Sequence, residues 1–164
     1  MKPQRVYVTG LPRSGSTLLC QLLAQHPDIS CDGMTSPLFG MLEGLKGHLT
    51  KDSAFLSRLD TEFDQNYDRI SKVYKGILSS WLDEHHDKLI TVDKSRGWLR
   101  GIGMLTELDP DAKILINIRE LGQLFGSVEA AHKKTRLLGY VDGTSTHSSD
   151  VRASQLFSES GVIG

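Results

Sequence analysis

The stretch "VTGLPRSGST", residues 8–17, sets two glycines and four hydroxyl side chains around one arginine. Gly10 and Gly15 keep the spacing of the phosphate-cradling GxxxxGK[ST] loop, but Ser16 stands where the lysine belongs, and Thr17 follows it. Before the loop, "RVYVT" (5–9) is a short β-rich run ended by Gly10-Leu11-Pro12. After it, "STLLCQLLAQ" places Leu18, Leu19, Leu22 and Leu23 at helical spacing until Pro27. A strand, a glycine loop and a helix in that order aim backbone N–H groups and the positive end of a helix dipole at an anion. Ser14, Ser16 and Thr17 add hydroxyl donors, and Arg13 adds a planar fork suited to phosphate. A Walker loop uses its lysine to reach the β- and γ-phosphates. Without one, the loop suits a single phosphate-like group bearing a further transferable group better than it suits ATP or GTP hydrolysis.

Two more strands follow the same design. "KLITVDKS" (88–95) ends in charge at Asp93 and Lys94, and "AKILINIRE" (112–120) ends in charge at Arg119. The second is apolar along its length, as expected of a parallel strand covered on both faces. Between the first and second strands, Ser36-Pro37 opens a helix through "LFGMLEGLKGHL". Helical stripes follow over 53–63 and 66–84, the latter with Tyr67, Ile70, Val73, Tyr74, Ile77, Leu78, Trp81 and Leu82, read as core. Further helices are expected over about 98–108 and through "LGQLFGSVEAAHKKTR", whose basic end is read as solvated, as are His85 and His86. Residues 139–160, rich in Ser, Thr and Gly, are read as a mobile loop. These β→α steps predict an α/β fold, an open, doubly wound parallel sheet with a helical insertion after the first βα unit. Ligands of such sheets gather beyond the carboxyl ends of the strands. The loop, Asp93 to Arg96, and Arg119 all fall at that edge.

A length of 164 residues fits one domain, 1–164, with a real core. Its 19 Lys and Arg against 20 Asp and Glu give a net charge of −1, which argues against a general nucleic-acid binder. Cys20 and Cys31 form neither a disulfide framework nor a metal spacing, and are read as plain reduced thiols. No metal, no membrane partner and a cytoplasmic location are expected, with no signal peptide before the first strand. The ending "SGVIG" is read as a truncation.

"VTGLPRSGSTLLCQLLAQHPDI", "VDKSRGW" and "INIRELGQLFGS" together resemble three motifs of the sulfotransferases, in order and at strand ends, over roughly residues 4–136. The likeness is to the branch containing tyrosylprotein and carbohydrate sulfotransferases and their bacterial relatives. That resemblance implies a P-loop-like three-layer fold, of which this chain is the amino-terminal portion. It implies transfer of a sulfuryl group from 3′-phosphoadenylyl sulfate (PAPS) to a hydroxyl or amine of a small-molecule, carbohydrate or peptide acceptor, leaving PAP. It further implies that Arg13, Ser14, Gly15, Ser16, Thr17 and the Leu18 amide hold the 5′-phosphosulfate. Arg119 and Ser127 would hold the 3′-phosphate, and Lys94 would stabilise charge on the leaving phosphate. The plainer readings are a solvated Arg119 and a Lys94 salt-bridged to a helix.

An acceptor must lose a proton, so a general base is required. Asp93 matches a glutamate of the heparan-type N-sulfotransferases; its plainer reading is a partner for a loop arginine. Asp32 lies beside Gly33-Met34, which fill the place of the tyrosylprotein branch's glutamate, and a base outside this chain is the third possibility. Arg96 replaces the histidine of the steroid and phenol branch, Leu18 replaces its adenine-stacking aromatic, and the RKG-type element is missing. Two rival readings remain: a kinase or NTPase with a degenerate Walker loop, and a non-catalytic nucleotide-binding or interaction module.

Overall fold

A computed structural model describes residues 3–84, 87–134 and 148–158. Strands β1 (Gln4–Gly10), β2 (Ile29–Ser30), β3 (Ile90–Lys94) and β4 (Lys113–Asn117) form one parallel sheet in the order β2-β3-β1-β4. Val6 lies opposite Val92 and Val8 opposite Lys94, so β1 and β3 finish side by side. The predicted α/β class, the parallel sheet and the helical insertion are all present. The two-residue strand β2 is too short to leave a periodic signal and was not anticipated.

Helix α1 (Ser16–Leu23) follows β1, and α2 (Leu38–Leu49), α3 (Ser53–Thr61) and α4 (Phe63–Leu82) make the insertion. Asp52 caps α3 by accepting from the Phe55 amide at 2.8 Å. At α2 the Ser36 hydroxyl accepts from the Leu38 amide at 3.0 Å while Pro37 occupies the capping position, one residue later than the sequence implied. A 3₁₀ turn (Arg96–Leu99) and α5 (Ile102–Leu108) replace the single helix expected over 98–108. Gly101 lies between them with non-helical backbone angles as the residue preceding α5, and its backbone sits against the Phe39 ring. Helices α6 (Leu121–Lys134) and α7 (Ser149–Leu156) complete the described elements.

Two compact units can be distinguished. The first comprises Met1–Thr9 and Thr17–Ile116. Its main core joins Tyr7, Phe39, Leu42, Tyr74, Leu78 and Trp98, and a smaller cluster packs Leu19, Cys20 and Leu23 of α1 against Val8 and Val92. Arg5, also buried, grips both Asp83 oxygens at 2.7 and 3.0 Å and the Ser79 hydroxyl at 2.9 Å, fixing the start of β1 to the end of α4. The second unit comprises Gly10–Ser16 and Asn117–Gly164, with Leu124, Val128 and Leu156 as its core and a Glu129–Arg152 ion pair beside them.

Several burial expectations are corrected. Strand β4 is not covered on both faces: Leu115 and Ile116 are exposed, because β4 is an edge strand of the described sheet. Leu18 and Leu22 point outward, since α1 lies on the sheet through Leu19, Cys20 and Leu23 instead. On α4 the stripe Tyr74, Leu78 and Leu82 is buried, whereas Tyr67, Val73 and Trp81 remain exposed on the flanks. Residues 149–156, expected within a loop, are helical. Ser148 caps them, Asp150 lies in the first turn, and Leu156 anchors the end in the core. Residues 139–147, 159 and 160 of that expected loop lie outside the described residues, as do His85 and His86. The basic end of α6 is not wholly solvated, because His132 turns inward while Lys133 and Lys134 stay exposed. No described helix is long and apolar enough to cross a membrane.

Glycine is required where the 3₁₀ turn meets α2. A Cβ on Gly97 would lie 1.9 Å from the Phe39 ring, which is itself core. Gly97→Ala should therefore lower stability by about 1–3 kcal/mol, read as a fall in the urea midpoint. Gly76→Ala, on an open face of α4, should instead raise it by about 0.4–1 kcal/mol. Equal effects would refute the packing argument.

Candidate active site

In the first unit the site is built on the carboxyl end of β3. Lys94 is only 8% exposed, and its Nζ donates to the Thr17 hydroxyl and the Gly33 carbonyl, both at 2.9 Å. The plain salt-bridge reading fails, since these partners are a hydroxyl and a carbonyl. Gly33 takes φ +75°, a conformation that favours glycine, and turns its carbonyl to the amine. The Ser36 amide donates to the Lys94 carbonyl at 2.8 Å, and the Ser95 amide donates to the Val8 carbonyl at 3.1 Å, so both flanks of the lysine backbone are held.

Asp93 is 3% exposed and accepts from the Trp98 indole N–H at 2.6 Å. Trp98 is fully buried, edge-on to Tyr7 at 5.0 Å and to Phe39 at 5.2 Å. The partner of Asp93 is thus an indole, together with the Ser36 hydroxyl, and not a loop arginine. Burial pushes the Asp93 carboxyl above the usual carboxylate range, and nearby Asp32 adds to the rise, while the bonds from Ser36 and Trp98 oppose it. A cleft of about 210 Å³ brings Asp93 and Lys94 together with Asp32, Cys31 and Trp81. Asp32 caps its own turn by accepting from the Met34 amide at 2.8 Å. Sequence reasoning passed over Trp98 and noted Gly33 only as standing, with Met34, in the place of a glutamate. The signal for Trp98 stood within "VDKSRGW", since a buried indole N–H needs an acceptor nearby.

In the second unit the glycine loop itself is shaped by close approach. Gly10 has φ +148°, and a Cβ there would lie 2.5 Å from the Asn117 carbonyl and 2.9 Å from the Ser14 hydroxyl. Arg13 adopts φ +64°, unusual for a residue with a side chain. Its carbonyl accepts from Arg119 at 2.9 Å, and its Nε donates to the Ser127 hydroxyl at 3.1 Å. Three residues chosen from distant motifs therefore meet: Arg13, Arg119 and Ser127. Arg119 is exposed but not idle, because it pins the loop backbone. Ser14 leaves a buried hydroxyl oxygen with no hydrogen-bond partner among the described residues, which suits a ligand oxygen. Gly15 is open on the side a Cβ would occupy, Ser16 begins α1, and Thr17 is already bonded to Lys94. The Leu18 side chain is exposed, so only its amide is suited to the role the resemblance implies. Among the described residues no group of His, Cys, Asp or Glu is placed to hold a metal.

A glycine loop between the first strand of a parallel sheet and the helix that follows it is consistent with an α/β fold of the P-loop-like class. The chain belongs to the sulfotransferase family, whose model matches residues 3–155. It is 28% identical over 116 residues to protein-tyrosine sulfotransferase 1 of Homo sapiens and to that of Mus musculus. Each match covers 70% of this chain and 31% of the relative. Protein-tyrosine sulfotransferase A of Caenorhabditis elegans is 28% identical over 120 residues, 70% of this chain and 30% of the relative. The chain thus spans under a third of the length of these curated relatives.

The raised pKa of Asp93 makes a signed prediction. A carboxyl raised in the folded state favours folding fully below its ordinary value, and that contribution is lost as pH rises through the folded value. Asp93→Asn has no such loss. Its stability relative to wild type should therefore improve as pH rises above the ordinary carboxylate range in urea unfolding, and level off once pH has passed the folded value. A difference independent of pH would show that the buried carboxyl does not titrate as described.

Proposed function

We propose that this chain forms the nucleotide-binding portion of a sulfotransferase that uses PAPS as donor and releases PAP. The acceptor oxygen or nitrogen attacks sulfur, the bond from sulfur to the bridging phosphate oxygen breaks, and the acceptor proton passes to a base. Little covalent help from the protein is needed; positioning and charge stabilisation carry the reaction. In this reading Arg13, Ser14, Gly15, Ser16, Thr17 and the Leu18 amide hold the 5′-phosphosulfate. Arg119 and Ser127 hold the 3′-phosphate, and Lys94 stabilises the charge that develops on the leaving phosphate. Asp93 is the base. The acceptor is a hydroxyl or amine of a small molecule, carbohydrate or peptide; the curated relatives are named for protein tyrosine.

The observation that supports this best is the meeting of Arg13, Arg119 and Ser127. An ATP-hydrolysing loop has no use for an arginine and a serine reserved for a phosphate on the ribose. The bonds these residues make to one another are modest, and a phosphate offers Arg119 a charge-assisted bidentate partner in place of a neutral carbonyl.

PAP and ADP separate this reading from its rivals. At a hundredfold excess over Kd a ligand adds about 2.7 kcal/mol of stability, visible as a thermal shift. PAP should shift the chain well beyond ADP; an equal shift by ADP returns the degenerate Walker reading. Arg119→Ala should lose about 1.5–3 kcal/mol of PAP affinity, roughly ten- to hundredfold, while adenosine 5′-phosphosulfate, which lacks the 3′-phosphate, changes little. Lys94→Ala should keep PAP affinity and lower transfer by about 10²–10³-fold. Undiminished transfer would remove its assigned role, and PAP binding without transfer to any acceptor tried would favour the non-catalytic module.

A further inference from the structure

We propose that Cys20 and Cys31 form a peroxide-oxidisable dithiol that closes into a disulfide between α1 and the end of β2, beside the partners of Lys94. The two thiols share a hydrogen bond, and both belong to the cluster with Val8 and Val92. They differ in access. Cys20 is fully buried, whereas Cys31 is half-buried and lines the cleft with Asp32, Asp93 and Lys94. The neighbouring backbone is already close-packed, since the open side of Gly33 lies against Gln21, next to Cys20.

The asymmetry assigns the roles. The Cys20 hydrogen bond stabilises a thiolate on Cys31 and draws that thiol down to about 7, with the Gly33 amide helping and burial opposing. The same bond, with burial, holds Cys20 as the protonated donor. The accessible Cys31 thiolate attacks hydrogen peroxide; an S–O bond forms, the O–O bond breaks, and hydroxide leaves. Cys20 sulfur then attacks the Cys31 sulfenic sulfur. An S–S bond forms, the S–O bond breaks, and the departing hydroxide takes the Cys20 proton as water. Two thiols and one peroxide thus give one disulfide and two waters.

The placement gives this step a consequence. Thr17 lies one helical turn before Cys20, and Gly33 lies just after Cys31, and these two residues hold the Lys94 amine. A covalent link between Cys20 and Cys31 constrains both of its partners at once. The proposal does not depend on the sulfotransferase reading, and its test needs no nucleotide.

Purified chain treated with hydrogen peroxide should lose both alkylatable thiols and about 2 Da of mass, remain monomeric on a non-reducing gel, and recover both thiols with dithiothreitol. Under the same treatment Cys20→Ser should give a sulfenic acid at Cys31 that dimedone traps, and Cys31→Ser should leave Cys20 as a free thiol. Two surviving thiols, oxygen addition at both sulfurs, or a dimer linked through Cys31 would each overturn the proposal. So would an untrapped, unmodified Cys31 in Cys20→Ser.

Discussion

Removing an amine from water costs several kcal/mol unless its donors are satisfied, and Lys94 is an amine nearly removed from water. Its two partners come from separate segments, the first turn of α1 and the loop after β2. That requirement couples the end of β3 to both. The lysine cannot take its place unless Thr17 lies in the first turn of α1 and Gly33 turns its carbonyl inward. Charge placed this way is preorganised: it sits at a strand end before any ligand arrives and loses little to reorganisation when charge develops nearby.

The glycine loop solves a different problem with similar means. Arg13 in a left-handed conformation costs about 1–2 kcal/mol relative to an ordinary one. Arg119 answers by donating to the Arg13 carbonyl, and Ser127 holds the Arg13 side chain. Two of the groups assigned to the 3′-phosphate thus also support the loop assigned to the 5′ end. Strain of this kind persists only where surroundings over-determine it, and it concentrates at functional positions.

Much of this was legible in the sequence, for physical reasons particular to each element. The strand–loop–helix opening could be read because glycines punctuate it and a leucine run follows. Arg119 and Lys94 could be read because charge ending an apolar strand must lie at the sheet's edge. What escaped was decided by tertiary placement. Strand β4 has the apolar run of a fully covered strand, yet it occupies an edge, and no periodicity reports strand order. Leu18 and Leu22 have core spacing, yet α1 chose the face bearing Cys20. Trp98 was hidden because its role depends on Asp93 pointing inward, and Asp93 was read as a candidate base, with a loop arginine as the partner in its plainer reading. Helix α7 was masked by serines and threonines that read as loop, although one of them, Ser148, is its cap.

Asp93 shows how stability and chemistry divide at this site. The fold spends the indole of a fully buried tryptophan and a serine hydroxyl on orienting one carboxyl. Even so, burial outweighs those bonds and leaves the ionised form disfavoured. A residue serving only as a scaffold would be better as asparagine, which accepts from the indole without any charge to desolvate. A carboxyl raised toward the working pH is what proton abstraction requires, since a base of ordinary aspartate strength would hold an acceptor's proton too weakly. Burial thus shifts Asp93 in the direction that its proposed role as base requires.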